Sequence, residues 1–179
     1  MADILGFSES DKRECETLAQ EINDWIWQNC YDKEKETFLQ YPASPLQDAT
    51  NLLFVLLQFL NKYDPKTKTV IEKTCKELCA EDVFVYRYLA DDGLPGGEGA
   101  FLLCTFWLIS ALAILEDVKK AKELFDLFGK YMAPHALLSE EMATHTYEYL
   151  GNYPQAFSHQ GYIMSVYYID RYTNKKKNL

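Results

Sequence analysis

Residues 99–115 read Gly-Ala-Phe-Leu-Leu-Cys-Thr-Phe-Trp-Leu-Ile-Ser-Ala-Leu-Ala-Ile-Leu and contain no charged side chain. A helix that is apolar on every side is either buried inside a protein or crosses a membrane. The apolar run 100–115 has sixteen residues, fewer than the roughly 20 that a membrane crossing requires. The stretch therefore predicts a helix that is buried in the core of an all-α protein.

Two further stretches, 49–61 and 153–169, are also free of charge, whereas the segments between the three are rich in Lys, Glu and Asp. A helix with a single apolar stripe lies at the surface, so the pattern predicts inner helices that alternate with outer ones. No alternation typical of a β-strand is present. The six predicted helices, alternately outer and inner, span about 9–30, 47–62, 65–80, 99–115, 116–131 and 153–171.

Several of these helices begin at residues that favour a helix N-terminus. Ser8 or Ser10 precedes the first, Asp48 lies near the start of the second, and Asp64 stands directly before Pro65 in the third. Ser and Asp side chains accept hydrogen bonds from the first N–H groups of a helix, and proline fits the first helical position. These residues set the predicted starts.

The loops between the predicted helices also alternate in length. Those that lead from an outer to an inner helix are long, at about 31–46, 81–98 and 133–152, whereas the returns near 63–64 and 116 are tight. In antiparallel helical hairpins that stand side by side, all the long loops lie at one end, which is also the positive end of the inner helices. We therefore predict three antiparallel hairpins arranged as half of an (α/α)6 toroid, with the functional residues on the long loops.

Length and charge limit the classes of protein to which the chain can belong. The 179 residues suit one domain, which we place at 9–172 between an N-terminal tail, 1–8, and a basic C-terminal tail, 173–179. The formal net charge of −9 argues against nucleic-acid binding, which requires a basic surface. No motif indicates a cofactor, and we expect none.

The chain has five cysteines, an odd number, and its first residues lack the pattern of a signal peptide. A reducing, cytoplasmic location is therefore expected. Cys75 and Cys79 are four residues apart on a predicted helix and share one face. Two thiols alone make a weak metal site, so we interpret them as incidental and predict no metal.

The second long loop carries residues suited to binding a sugar. Arg87 stands between Tyr86 and Tyr88, which places a planar set of N–H donors beside aromatic rings. A glycine-rich run follows, and glycines let the backbone approach a ligand closely. Glu98 ends this run at the start of an inner helix, where it is either a ligand for the substrate or a carboxylate that caps the helix.

The other two long loops supply further candidates. Glu140 lies in a short acidic turn of the third loop, and Gln155 and His159 surround the start of the last inner helix. The histidine is more simply interpreted as a hydrogen-bonded core residue. In the first loop, Tyr41 next to Gln40 offers an aromatic ring and an amide to a sugar.

Four segments together resemble glycoside hydrolase family 15, the family of the glucoamylases and the trehalase-like bacterial and archaeal enzymes. They are Tyr-Arg-Tyr (86–88), Asp-Gly-Leu-Pro-Gly-Gly-Glu-Gly-Ala-Phe (92–101), Leu-Leu-Ser-Glu-Glu (137–141) and Gly-Asn-Tyr-Pro-Gln-Ala-Phe-Ser-His (151–159). The resemblance extends from about residue 9 to residue 172.

The resemblance implies an (α/α)6 barrel that hydrolyses α-linked glucans or trehalose with inversion. Glu140 corresponds to the general base of the family and Arg87 to its sugar-binding arginine, while Glu98 lies in a segment that lines the substrate funnel. Tyr41 and Gln155 complete the predicted substrate-binding residues. The implied ligand is an α-glucoside or a trehalose-like sugar.

The chain departs from the family in extent, because a family barrel has twelve helices and the general acid belongs to its N-terminal half. Of the other local carboxylates, which are Glu98, Glu141, Asp91 and Asp92, none is singled out as that acid. Two hypotheses follow. The chain is either a hydrolase segment that needs an N-terminal half on another chain, or a non-catalytic sugar-binding or scaffold protein that associates with itself or derives from a truncated gene.

Overall fold

The computed structural model describes residues 6–80, 83–90 and 99–177, with side chains up to residue 174. This part of the chain is mostly helical and contains the predicted six α-helices. Five of them begin within three residues of the predicted position, and the second is the exception. The helices are α1 (Glu9–Asn29), α2 (Leu53–Leu56), α3 (Pro65–Leu78), α4 (Leu102–Ile114), α5 (Val118–Phe128) and α6 (Ala156–Lys177).

Three predicted N-caps are confirmed. Ser8 forms a capping box in which its Oγ accepts from the Asp11 N–H at 3.2 Å and its own N–H donates to Asp11 Oδ2 at 3.0 Å. Asp48 Oδ1 accepts from the Thr50 N–H at 2.8 Å. Asp64 Oδ1 accepts from the N–H of Lys66 at 2.9 Å. Each cap satisfies an N–H that the first turn of a helix leaves without a partner.

The prediction of a sixteen-residue second helix is wrong. The chain instead forms a 3-10 helix, Ala49–Leu52, followed by the four residues of α2. The Asn51 amide donates to the Phe38 carbonyl oxygen at 2.8 Å, and such side-chain bonds compete with a regular helix. Gln58 then adopts a left-handed φ of 61°, which ends the helical segment.

Short strands occur in the loops, although the sequence shows no strand alternation. Strands β1 (Tyr31–Asp32) and β2 (Thr37–Phe38) form an antiparallel hairpin. Strands β3 (Ala100–Phe101), β4 (Glu141–Met142) and β5 (Tyr149–Leu150) form a three-stranded antiparallel sheet in that order. Each strand has two residues, which is too short for a period of two to be visible in the sequence.

The core is built around α4, as the charge-free sequence predicts. Eleven of its thirteen residues are buried, and α2, α5 and α6 pack around it. Helix α6 approaches closely at Gly161, where an added Cβ would lie 2.9 Å from Cδ1 of Leu103 and from Cβ of Phe106. A glycine at this position therefore sets the distance between the two apolar helices. Among the described residues, no helix is both long and apolar enough to span a membrane.

Helix α6 differs from the prediction in two ways. It continues to Lys177, so the expected boundary of the C-terminal tail at residue 173 falls within the helix. It is also not buried on all sides, because only one face, which includes Ser158 and Ser165, packs against α4. The opposite face exposes four large apolar side chains, which are Phe157, Ile163, Val166 and Tyr167.

Helix α1 likewise leaves an apolar stripe uncovered. None of its residues is buried, and Leu18, Ile22 and Trp25 are each more than half exposed. Its C-terminal turn is fixed by Trp27, whose ring centroid lies 4.8 Å from those of both Tyr31 and Phe38. The first and last helices of the described chain therefore both expose apolar faces, which we refer to below as the α1 stripe and the α6 stripe.

Candidate functional site

The second and third long loops are hydrogen-bonded to the N-terminal ends of the three predicted inner helices. The Ala49 N–H, at the start of the second helical segment, donates to the Arg87 carbonyl oxygen at 2.8 Å. The Leu102 N–H, the first of α4, donates to the Glu140 carbonyl oxygen at 3.0 Å. The Gln155 N–H, just before α6, donates to the Leu138 carbonyl oxygen at 2.8 Å. These three bonds place Arg87, Leu138 and Glu140 beside the starts of the helical segments.

The three-stranded sheet brings the second and third loops into register. Phe101 of β3 is paired with Glu141 of β4, and the Phe101 N–H also donates to the Val85 carbonyl oxygen at 3.1 Å. The hydroxyls of Tyr86 and Thr144 lie 2.8 Å apart and join the same two loops. Arg87 follows Val85 by two residues, on the loop that these bonds join to the loop of Glu140.

The Glu140 side chain is held in place by a single residue across the turn. Its Oε2 accepts from the backbone N–H of Asn152 at 3.0 Å and from Nδ2 of Asn152 at 2.8 Å. The backbone of the pair is also joined, because the Glu140 N–H donates to the Asn152 carbonyl oxygen at 2.9 Å. Both of these side-chain bonds end on Oε2.

Buried serine hydroxyls donate hydrogen bonds to the backbone of the turn that carries Glu140. Ser139 Oγ donates to the Glu141 carbonyl oxygen at 2.6 Å, and Ser158 Oγ of α6 donates to the Ser139 carbonyl oxygen at 2.6 Å. Both serines are fully buried. Buried hydrogen bonds of this kind fix the position of a backbone because leaving them unmade costs more free energy than they contribute when made.

Gly151 allows the Glu140 carboxylate to lie against the backbone. It has a left-handed φ of 71°, and a Cβ at this position would lie 2.9 Å from both Cβ and Oε2 of Glu140. A side chain cannot be added without moving the carboxylate or straining the turn.

We expect Gly151→Ala to displace the Glu140 carboxylate and to destabilise the fold by about 1–3 kcal/mol, because it combines overpacking with a left-handed backbone. The measurement is the free energy of unfolding from urea titration monitored by circular dichroism. Gly129→Ala is the matched control, because nothing lies within 4 Å of a Cβ built on Gly129 and its φ is negative. Equal stability of the two variants would contradict the close packing of Gly151 against Glu140.

The predicted substrate-binding residues have different surroundings. Arg87 is exposed, and its guanidinium carbon lies 5.5 Å from the centroid of the Tyr88 ring. Tyr41 is exposed in the first long loop, where the Ser44 N–H donates to the Tyr41 carbonyl oxygen at 3.0 Å. Gln155 Oε1 accepts from the Phe157 N–H at 3.3 Å, so this side chain caps the start of α6. Glu98, like Asp91 and Asp92, lies outside the described residues.

His159 is a hydrogen-bonded structural residue, in agreement with the simpler interpretation of the sequence. Its Nε2 lies 3.3 Å from the Leu138 N–H that donates to it, and its Nδ1 lies 2.7 Å from the Gln155 carbonyl oxygen. Both ring nitrogens therefore contact backbone groups and hold the turn before Glu140 against α6.

Asn152 is the residue that the sequence reasoning missed. It lies in the quoted segment 151–159, but nothing assigned it a role. The signal was the pair Gly151-Asn152, which is typical of a turn with a left-handed residue next to a side chain that hydrogen-bonds nearby backbone. The partner across the turn, Glu140, becomes evident only when the strands β4 and β5 are paired.

No group of three or more His, Cys, Asp or Glu side chains in the described ranges is arranged to hold a metal ion. A cavity of about 460 Å³ lies at the opposite end of the helices, near the C-termini of α4 and α6. Its lining includes Lys62, Arg171 and Tyr172 and none of the predicted site residues.

Comparison with known proteins gives one family and one fold. The model of the family "Glycosyl hydrolases family 15" matches residues 1–125. The trehalase of Thermoplasma volcanium is 35% identical over 163 residues, which are 91% of this chain and 26% of that protein. The trehalase of Mycolicibacterium smegmatis is 35% identical over 174 residues, which are 96% of this chain and 26% of that protein.

Solved glycosidase structures have the same fold. A wild-type glycosidase superposes with a TM-score of 0.77 at 18% identity, over 91% of this chain and 46% of that chain. A glycosidase variant in complex with glucose superposes with a TM-score of 0.78 at 17% identity and the same coverage. The chain thus spans about a quarter of the length of the trehalases and less than half of the glycosidases.

Proposed function

Because the chain belongs to the glycosyl hydrolases of family 15, we propose that it forms half of an (α/α)6 barrel that hydrolyses α-glucosidic bonds with inversion, and that Glu140 is the general base. The observation that carries this proposal is the geometry of Glu140. Two N–H donors of Asn152 hold Oε2 of the carboxylate. A carboxylate held in place suits a general base, because the base must lie within hydrogen-bond reach of the water whose proton it takes.

Inversion requires a second carboxyl group that protonates the leaving oxygen from the other side of the sugar ring, at about 6.5–9.5 Å from the first. We propose that this acid lies on the part of the barrel outside the 179 residues. The lengths support the proposal, since the chain covers 46% of a glycosidase of the same fold. Arg87, exposed on the loop that is joined to the loop of Glu140, then serves to orient the sugar through its N–H donors.

The α1 stripe and the α6 stripe support the existence of a further half. They lie on the first and last helices, where a half-ring would join its complement, and Trp25 is 53% and Ile163 67% exposed. Apolar surface of this kind on a protein marks an interface. We propose that the N-terminal half of a family 15 barrel covers both stripes. Pairing with a second copy of this chain is the alternative occupant.

We propose trehalose as the substrate, because the similar relatives are trehalases. A non-catalytic sugar-binding role is the competing function. It is favoured by the absence, among the described residues, of a second carboxylate assigned to face Glu140.

The test is to combine this chain with the N-terminal remainder of the Mycolicibacterium smegmatis trehalase, truncated before the segment that aligns here. We expect trehalose hydrolysis only when both chains are present, with release of β-glucose as one of the two products, detected by proton NMR of the anomeric signals. The chain alone, at the same concentration, is the control. Turnover by the chain alone would show that no partner is required, and sugar binding without turnover in the mixture would favour the non-catalytic role.

A further inference from the structure

Two thiols, Cys75 and Cys79, stand one helical turn apart at the C-terminal end of α3. Both are partly exposed, and neither is in a disulfide. They lie in the wall of a cavity of about 210 Å³ between α3, α4 and α5. The remaining residues of the lining are Val83, Leu108, Leu112, Lys120 and Leu124. A dithiol thus faces a small apolar cavity that has one cationic side chain.

The spacing of the two thiols does not suit a direct disulfide. Side chains four residues apart on a helix have Cβ atoms about 5–6 Å apart, whereas a disulfide requires about 3.5–4.5 Å. An atom that binds both sulfurs at about 2.3 Å bridges sulfurs that lie as much as about 4.6 Å apart, so it does not require the Cβ atoms to approach as closely as a disulfide does. Cys79 is the C-cap and has extended φ and ψ angles of −78° and 124°, so its side chain is less constrained than one within the helix. The pair is therefore better suited to chelation than to oxidation.

The two thiols also differ in acidity. Interaction with the Cys79 side chain lowers the pKa of the Cys75 thiol, burial opposes this effect, and the charge of Lys120 reinforces it. The pKa of the Cys79 thiol is raised, first by the interaction with Cys75 and then by burial.

We propose that Cys75 and Cys79 form a chelating site for a soft, thiophilic centre, with trivalent arsenic bearing a small aryl group and monovalent copper as the two ligand classes. With an arylarsonous acid, two As–S bonds replace two As–OH bonds, and the two thiol protons leave with the hydroxyls as two waters. The apolar walls provided by Leu108, Leu112 and Leu124 accept the aryl group. With monovalent copper, both thiols lose their protons to solvent, and the complex keeps one negative charge that Lys120 offsets.

This site is independent of the sugar-binding end. Leu108 lies six residues into α4, about 9 Å along the helix from the Leu102 N–H that contacts Glu140. It also does not involve α1 or α6, so it is complete whether or not a partner covers the two stripes. Its failure would leave the proposed hydrolase function untouched.

The experiment treats the reduced protein with phenylarsonous acid and, in a separate titration, with monovalent copper buffered by a chromogenic chelator. We expect one adduct per chain by intact-mass spectrometry, and protection of Cys75 and Cys79 alone from later alkylation, mapped by peptide mass. Cys75→Ser and Cys79→Ser should each weaken binding by at least about 100-fold, because each leaves a single thiol without chelation. Cys30→Ser is the matched control, since Cys30 is also partly exposed but stands outside the cavity.

Peptide mapping of the wild-type protein keeps the test decisive even where a serine variant fails to fold, which circular dichroism would reveal. Binding of either probe at this pair supports the proposal, and the two titrations show which ligand class the site takes. Binding of neither probe, protection of a different pair of cysteines, or equal affinity in Cys79→Ser would overturn it.

Discussion

Replacing Glu140 with glutamine is expected to lower the rate of trehalose hydrolysis by the completed two-chain enzyme about 10²–10⁴-fold, the contribution of a positioned general base. The amide keeps the size of the side chain, and its carbonyl oxygen can still accept the two hydrogen bonds from Asn152. The proposed sugar contacts of Arg87 are not changed by this substitution. The loss should therefore appear in kcat, with little change in KM, and initial rates at several trehalose concentrations would show it.

Glu148→Gln is the matched control for this experiment. Glu148 is an exposed carboxylate of the same loop, eight residues further along, and its only side-chain bond described is a long one of 3.4 Å from Thr146 Oγ1. Its replacement should leave the rate within about twofold, since surface substitutions have small effects. A normal rate in Glu140→Gln would remove Glu140 from the mechanism and leave the non-catalytic role as the better interpretation.

A third variant tests whether Glu140 acts as a base or only supports the structure of the turn. Added azide or formate can replace a missing carboxylate in some sites, and rescue of Glu140→Ala by such an anion would indicate that the lost group acted on the reacting water. A carboxylate that only supported the turn would not be rescued in this way. The free energy of unfolding of Glu140→Gln, measured on the single chain, should stay close to that of the wild type.

The sequence predicts those parts of the fold in which local preference and burial agree. Helix α4 has no charge and is buried, and α3 begins at Pro65 after the Asp64 cap as predicted. The predicted second helix does not form as one regular helix, because the Asn51 side-chain amide donates a hydrogen bond to the Phe38 carbonyl oxygen. These two residues are thirteen positions apart in the chain. Helix propensity does not account for such a hydrogen bond, because the bond depends on the position of the β1–β2 hairpin.

The same limit applies to the site. The turn around Glu140 can be recognised from the sequence, and so can its position before the last predicted inner helix. What holds the carboxylate depends on the pairing of β4 with β5, which brings Asn152 and Gly151 against Glu140. Two-residue strands leave no periodic pattern, so this partnership could not be derived from local sequence.

Truncation of the most enclosed aromatic ring of α4 should have the largest effect on stability. Phe106→Ala is expected to cost about 3–5 kcal/mol, the usual range for a buried phenylalanine that leaves a cavity. Phe106 is 0% exposed, its ring centroid lies 4.8 Å from that of Phe128 and 5.8 Å from that of Tyr162, and Gly161 brings α6 against its Cβ. The close approach of α6 leaves the neighbours little freedom to fill the space. Urea unfolding followed by circular dichroism would measure the loss.

Phe157→Ala is the control that connects this prediction to the proposed partner. Phe157 belongs to the α6 stripe and is 56% exposed, so its truncation in the single chain should cost no more than about 0.5 kcal/mol. In the two-chain enzyme the same side chain lies at the proposed interface, and its loss should weaken assembly with the N-terminal half. A large cost in the single chain would mean that the stripe is already covered, for instance by a second copy, and sedimentation at several concentrations would show that association. A small cost in both states would remove α6 from the interface.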